Sequence, residues 1–150
     1  MAKGKVSPEL IEQFKQIVGE KYVYTDKEKL EPYSHDEVTD PHYMKEPQVV
    51  VLPATTEEVS KVVKLCYEND TVMVPRAAGT GLAAGAVATF GGVIISIERM
   101  NNIIEIDKEN MVCVTEPGVT TAVLQESVQK EGLFYGGDPC SGDSCFIGGN

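Results

Sequence analysis

The chemistry in this sequence concentrates where its side chains are smallest. From Pro75 the chain reads Pro-Arg-Ala-Ala-Gly-Thr-Gly-Leu-Ala-Ala-Gly-Ala, ending at Ala86, and no charged side chain occurs between Ala77 and Ile97. Arg76 and Glu98 bracket this neutral, glycine-dotted segment. Such a run lets the main chain come close to an anion and meet it with amide dipoles, as a pyrophosphate requires. The same composition would serve an ordinary glycine-rich turn, so the rest of the chain decides between them.

Other candidate constellations are weaker. Gly79-x-Gly81-x3-Gly85 invites a Rossmann reading with Glu98 as ribose ligand. A Rossmann turn, however, places its first glycine almost directly after a strand, whereas Pro75 to Ala78 intervene here. It also feeds a crossover helix, for which Ala86 to Gly92 leave no room. A Walker A loop is excluded, because no Gly-Lys-[Ser/Thr] follows. Cys140 and Cys145 are spaced too widely for the usual zinc or iron–sulfur pairing, and Cys66 and Cys113 fall on regular elements. His35 and His42 lack paired ligand spacing and read as solvated loop residues. No Ser–His–Asp or Cys–His arrangement is legible.

The elements that must position the glycine segment follow from pattern. Ser7-Pro8 caps a helix with Leu10, Ile11, Phe14, Ile17 and Val18 at helical spacing, stopped by Gly19. Lys21 to Glu46 is polar and broken by Pro32 and Pro41, so an irregular surface course is expected. Val49 to Leu52 is a continuous apolar run, the mark of a strand covered on both faces. Thr55-Thr56-Glu57-Glu58 is a capping box for a helix with Val59, Val62, Val63 and Cys66 on its apolar face. Cys66 there reads as core. Val72 to Val74 and Val93 to Ile97 give two more strands, so a parallel βαβ lobe is expected. Ile104 and Ile106, then Val112 and Val114, alternate with other residues as in an antiparallel hairpin, with Cys113 as a strand residue between the valines. Glu116-Pro117-Gly118 breaks the chain before a helix capped by Thr120 or Thr121 and carrying Val123, Leu124 and Val128. A second glycine-rich stretch, Tyr135 to Asn150, closes the sequence.

Composition bounds the partners. The 150 residues suit a single domain and 42% of them are hydrophobic, as in a globular protein. A net charge of −10 argues against nucleic acid and anionic membrane. The basic start, Met1 to Lys5, has no apolar run behind it and is not a secretory signal. Ala77 to Ile97 is too rich in glycine and threonine, and too poor in large aliphatic residues, for a membrane span. Four cysteines outside any disulfide framework suggest a cytoplasmic chain with reduced thiols.

Four blocks in order carry a family resemblance. They are Glu46 to Thr55, Pro75 to Leu82, Glu116 to Val119, and Asp138-Pro139 with Ser144 to Asn150. Together they resemble the N-terminal half of the vanillyl-alcohol-oxidase type of FAD-binding domain, as in FAD-linked D-lactate dehydrogenases, glycolate oxidase D subunits and D-2-hydroxyglutarate dehydrogenases. The resemblance implies an α+β, two-lobed domain: a small parallel βαβ lobe, then a partly antiparallel lobe, with FAD between them. It assigns residues 1–45 to a lead-in and 46–150 to the N-terminal part of the FAD-binding domain. It implies that Arg76, Ala77, Ala78, Gly79, Thr80, Gly81 and Leu82 wrap the pyrophosphate through main-chain amides. Pro117, Gly118 and Val119 would lie along the cofactor, and Asp138, Ser144, Gly148, Gly149 and Asn150 would close the site nearer the flavin.

Relatives with histidyl flavin carry that histidine in the glycine loop, where Ala77 to Thr80 has none, and neither Cys140 nor Cys145 matches the cysteinyl spacing. FAD is therefore expected to be non-covalent. The family continues past the equivalent of Asn150 into a substrate cap that supplies the catalytic histidine and, in D-2-hydroxyacid enzymes, ligands for a divalent metal. The chain is accordingly expected to be an N-terminal portion of a longer enzyme, with no metal site or catalytic base of its own. The implied reaction oxidises a D-2-hydroxyacid, D-lactate foremost, by hydride transfer to flavin N5. An electron-transferring flavoprotein or a quinone would accept the electrons. A non-catalytic flavin-binding assembly subunit and an FAD oxidase of sugars or alcohols are the alternatives.

Overall fold

The computed structural model describes residues 5–150; Met1 to Gly4, most of the basic start, lie outside the described residues. Helix α1 (Pro8–Val18) begins as its sequence dictates, the Ser7 hydroxyl accepting the Leu10 N–H at 3.2 Å. It buries Leu10, Phe14 and Val18 and ends at Gly19, whose φ of 90° turns the chain back. Strand β1 (Val23–Tyr24), a single-turn helix α2 (Lys27–Leu30), strand β2 (Val49–Val51) and helix α3 (Thr56–Glu68) follow. Then come strands β3 (Met73–Arg76) and β4 (Val93–Ser96), the hairpin β5 (Ile103–Asp107) and β6 (Val112–Thr115), and helix α4 (Thr121–Lys130).

The main sheet has the order β1-β2-β4-β3, with β2, β4 and β3 parallel and β1 antiparallel at one edge. The β2–α3–β3 crossover thus leaves a gap that β4 fills. Alternation along the central strands divides the core in two. Val49, Val51, Val93 and Ile95 pack against α1 and, on α3, Val62 and Cys66. Val50, Leu52 and Ile94 face the other way, onto Leu30 and Ala88. Cover on both faces is why β2 and β4 read as unbroken aliphatic runs. Burial of Cys66 pushes its thiol pKa up to about 11, in keeping with a core residue.

Three expectations need correction. Lys21 to Glu46 is not irregular throughout: β1 pairs with β2 through Val23 and Val51, and Val23 and Leu30 enter the core. A two-residue strand is too short to show a period, so only its partner reveals it. On α3, Val63 points outward, because the buried stripe runs through Val62 and Cys66. In the hairpin Ile106 turns inward, but the simple alternation fails around it. Ile106 pairs with Cys113, and a bulge shifts the register between Ile103 and Glu105. Ile103, Ile106 and Cys113 therefore turn inward to Val119, Leu124 and Val128, while Ile104, Val112 and Val114 face out.

Main-chain hydrogen bonds hold the turn after β6 between the segment leaving β4 and the second glycine-rich stretch. Gly118 N–H donates to Met100 O at 2.7 Å, Ile147 N–H to Val119 O at 2.8 Å, and Gly148 N–H to Pro117 O at 2.8 Å. This seam brings the second glycine-rich stretch up to the carboxyl ends of the parallel strands.

Candidate functional site

Open α/β sheets bind ligands beyond the carboxyl ends of their strands, and the cleft here lies there. The segment leaving β3 at Arg76 wraps one side of a cavity of about 380 Å³, and Ser141, Cys145, Phe146 and Gly148 to Asn150 form the other. Ile97, just past β4, lies between them.

Among the described residues, no main-chain N–H from Ala77 to Ala86 donates a hydrogen bond, and the segment contains no proline. Its carbonyls, by contrast, are engaged: Gly81 O accepts the Glu37 N–H at 3.1 Å, and Ala84 O accepts the Val87 N–H at 3.2 Å. A methyl group built on Gly81 or Gly85 would meet nothing within 4 Å, so a ligand can reach the main chain there. Amides without protein partners are free to donate to a ligand, and those of the half-buried Ala77 to Thr80 gain most from doing so. An extended anion with many acceptor oxygens fits this donor set.

Among the described residues, Arg76 is the only charged side chain lining the cavity, and it is 7% exposed. Its Nη1 donates to His35 O at 2.8 Å and Ala86 O at 3.2 Å, and its Nη2 to Pro32 O at 3.1 Å. Burial lowers its pKa, while Tyr33, Asp36 and Glu98 oppose the shift; an arginine remains cationic regardless. A neighbouring cavity of about 540 Å³ shares Arg76, Ala77, Ala78 and Phe146 and adds Tyr33 and Glu98. The Tyr33 hydroxyl donates to Glu98 Oε1 at 2.7 Å. Burial first, then that bond and the Glu98 charge, raise the Tyr33 pKa.

On the opposite wall, Asn150 Nδ2 donates to Thr121 Oγ1 at 2.7 Å, and Thr121 Oγ1 lies 3.1 Å from Cys145 Sγ. This ties the final residues to the first turn of α4. Most amides on this wall are already used: Cys145 N–H donates to Ser141 O, Gly148 N–H to Pro117 O, Gly149 N–H to Phe146 O and Asn150 N–H to Ile147 O.

The residues singled out in the sequence fall into four places. Arg76, Ala77, Ala78, Gly79, Thr80 and Gly81 line the cavity with Gly148, Gly149 and Asn150. Ser144 lines the neighbouring cavity. Pro117, Gly118 and Val119 form the seam behind the wall: Gly118 has no room for a side chain, its added Cβ meeting Ile97 O and Met100 O, and Val119 is core. Leu82 is 79% exposed, and Asp138 lies in a separate depression with Gln125 and Gln129. Sequence reasoning did not select Gly85, Ala86, Ile97, Ser141, Cys145 and Phe146 as lining residues, or Thr121 as their support. Gly85 and Ala86 were within reach, since they belong to the same neutral segment. The others depend on how the lobes meet.

Among the described residues, no cluster of His, Cys, Asp and Glu could hold a metal ion, and no helix is long and apolar enough to cross a membrane.

Comparison with known proteins adds an independent line. Residues 47–150 match the family model described as FAD binding domain. The chain is 44% identical over 137 residues to a D-lactate dehydrogenase of Anaerostipes hadrus, covering 91% of this chain and 28% of that protein. It is 40% identical over 118 residues to glycolate oxidase subunit GlcD of Bacillus subtilis, covering 79% and 25%. It is 36% identical over 143 residues to a D-2-hydroxyglutarate dehydrogenase of Stutzerimonas stutzeri, covering 95% and 30%. The chain thus spans between a quarter and a third of the length of these relatives. Among solved structures, an alkyldihydroxyacetonephosphate synthase superposes with a TM-score of 0.85 at 23% identity, over 99% of this chain and 29% of that one. p-Cresol methylhydroxylase superposes at 0.74 with 28% identity, over 83% and 25%.

Proposed function

Because this chain belongs to the FAD-binding-domain family, we propose that it forms the diphosphate-cradling share of an FAD-dependent dehydrogenase of D-2-hydroxyacids, with D-lactate as substrate. The observation that carries the reading is the run of main-chain N–H groups from Ala77 to Ala86, unpartnered among the described residues, in a segment of which Ala77 to Gly81, Gly85 and Ala86 line the cavity. These amides bind the two phosphates, and the open space over Gly81 and Gly85 admits them. Gly148, Gly149 and Asn150 close the opposite side, held by Asn150 on Thr121. A bound FAD supplies the acceptor for the substrate's α-hydride. The chain's own part is to bind, orient and keep water from the nucleotide. An electron-transferring flavoprotein or a quinone then takes the electrons. The substrate choice rests on the 44% identity to a D-lactate dehydrogenase, with glycolate and D-2-hydroxyglutarate next in line.

Titration of the full-length enzyme that carries this chain with FAD tests the binding, followed by acid precipitation and, anaerobically, by addition of each hydroxyacid. Saturable change in the flavin spectrum, release of FAD into the acid supernatant, and bleaching by D-lactate are expected. No spectral change with FAD sinks the assignment. Bleaching by glycolate or D-2-hydroxyglutarate alone transfers it to that substrate.

A further inference from the structure

A segment that donates none of its own amides cannot hold itself in shape, so its form must be imposed from outside. Three contacts do this. The Arg76 guanidinium, at the start of the segment, takes the carbonyl of Ala86 at its end and the carbonyls of His35 and Pro32 in the lead-in. Gly79 rests on the same guanidinium: it has a φ of 75°, and a Cβ there would collide with Nη2 and Cζ of Arg76. The Glu37 N–H holds the Gly81 carbonyl at 3.1 Å. In a trans peptide the N–H points opposite to the C=O, so this bond turns the Leu82 N–H away from the lead-in.

We infer that Arg76 is the positioning residue of the loop rather than a phosphate ligand. Resting on the FAD-binding reading above, its planar fork joins the two ends of the segment to the 32–37 strap, and cofactor affinity depends on it through loop shape. All three of its hydrogen bonds go to neutral carbonyls, so what the site needs from Arg76 is the geometry of the fork, not a charge placed on the anion. A lysine retains the charge but presents a single compact head that cannot span the three carbonyls.

The experiment is a double-mutant cycle on FAD affinity in the full chain, using Arg76→Lys, Gly79→Ala and the two combined. Circular dichroism and melting of the FAD-free proteins run alongside. Arg76→Lys is expected to weaken FAD binding by about ten- to a hundredfold. Gly79→Ala weakens it as well, and costs markedly less when Arg76 is already lysine, because the two changes break one shared contact. A ligand that met the phosphate by charge alone would tolerate lysine, and a direct phosphate contact of either kind would leave the cost of Gly79→Ala independent of residue 76. Arg76→Lys binding FAD like the wild type, or additive effects in the cycle, would overturn the inference. If Arg76→Lys does not fold, Gly79→Ala decides alone, and wild-type affinity in that variant overturns it. A wild-type protein that binds no FAD removes the cofactor reading and this inference together, whereas binding that is indifferent to the variants removes only the inference.

Discussion

Between Ala77 and Ala86 the main-chain N–H groups have no partners, whereas across the cavity those of Ile147, Gly148, Gly149 and Asn150 are all donated within the chain. Both stretches are rich in glycine, but they need it for different reasons. On the first wall, Gly81 and Gly85 face open space, and lack of a side chain leaves the amides accessible. On the second, Gly148 is pressed against Pro117 and Ile97, and Gly118 behind it against Ile97 O and Met100 O. One wall is shaped to receive a ligand, and the other to let two lobes touch. Composition alone does not separate these uses; the hydrogen-bond inventory does.

The strongest test of that contrast sets alanine at both kinds of site. Gly118→Ala forces a Cβ into two carbonyl oxygens, and a loss of about 3 kcal/mol in unfolding free energy is expected by denaturant titration. Gly148→Ala follows in the same direction with a smaller loss, since part of what it meets is the movable end of the Ile97 side chain. Gly81→Ala and Gly85→Ala should leave stability within about 0.5 kcal/mol of wild type, yet weaken FAD binding by crowding the approach. Equal destabilisation at all four positions would erase the distinction between the walls.

Amide hydrogen exchange sharpens the comparison without mutation. In the FAD-free protein, peptides covering 77–86 should exchange at rates near those of an unprotected chain, while those covering 145–150 are slowed by bonds already made. Adding FAD should protect the first set strongly and the second little. The reverse pattern would move the phosphates to the other wall.

The smallest effect concerns the strap behind the first wall. The Tyr33 pKa is raised above its ordinary value of 10.0, so the stabilisation it gives is complete below about pH 10. It is lost as pH climbs toward the raised value, because the unfolded chain gives up that proton first. Tyr33→Phe should lower stability by about 1 kcal/mol at neutral pH through loss of the bond to Glu98, and should flatten the alkaline decline. An unchanged decline would show that another group causes it.

Much of the lining of the first wall was legible in the sequence, because an accessible main chain needs only a local run of small, uncharged residues after a strand. The central strands were legible for a similar reason, as burial on both faces leaves an uninterrupted aliphatic signature in Val49 to Leu52 and Val93 to Ile97. What escaped depends on contacts distant in sequence. A bulge near Ile104 turns both Ile103 and Ile106 inward without altering the hairpin's composition. Cys145 and Phe146 reach the cavity only because β-type pairing of Thr120 with Phe146 carries them there. The support from the lead-in was hidden too, since Arg76 reaches across 44 positions to Pro32 and 41 to His35.

That last arrangement bears on how the edges of such a domain are drawn. Similarity to the family model begins at residue 47, but the mechanical unit begins earlier, at the strap that Arg76 grips. Pro32 and His35 serve through carbonyl oxygens, and Glu37 through its N–H. Main-chain groups of that kind are common to nearly every residue type, while Tyr33 between them also bonds Glu98 through its hydroxyl. A boundary drawn where the family model begins would cut away the brace and leave the glycine loop without the scaffold that shapes it.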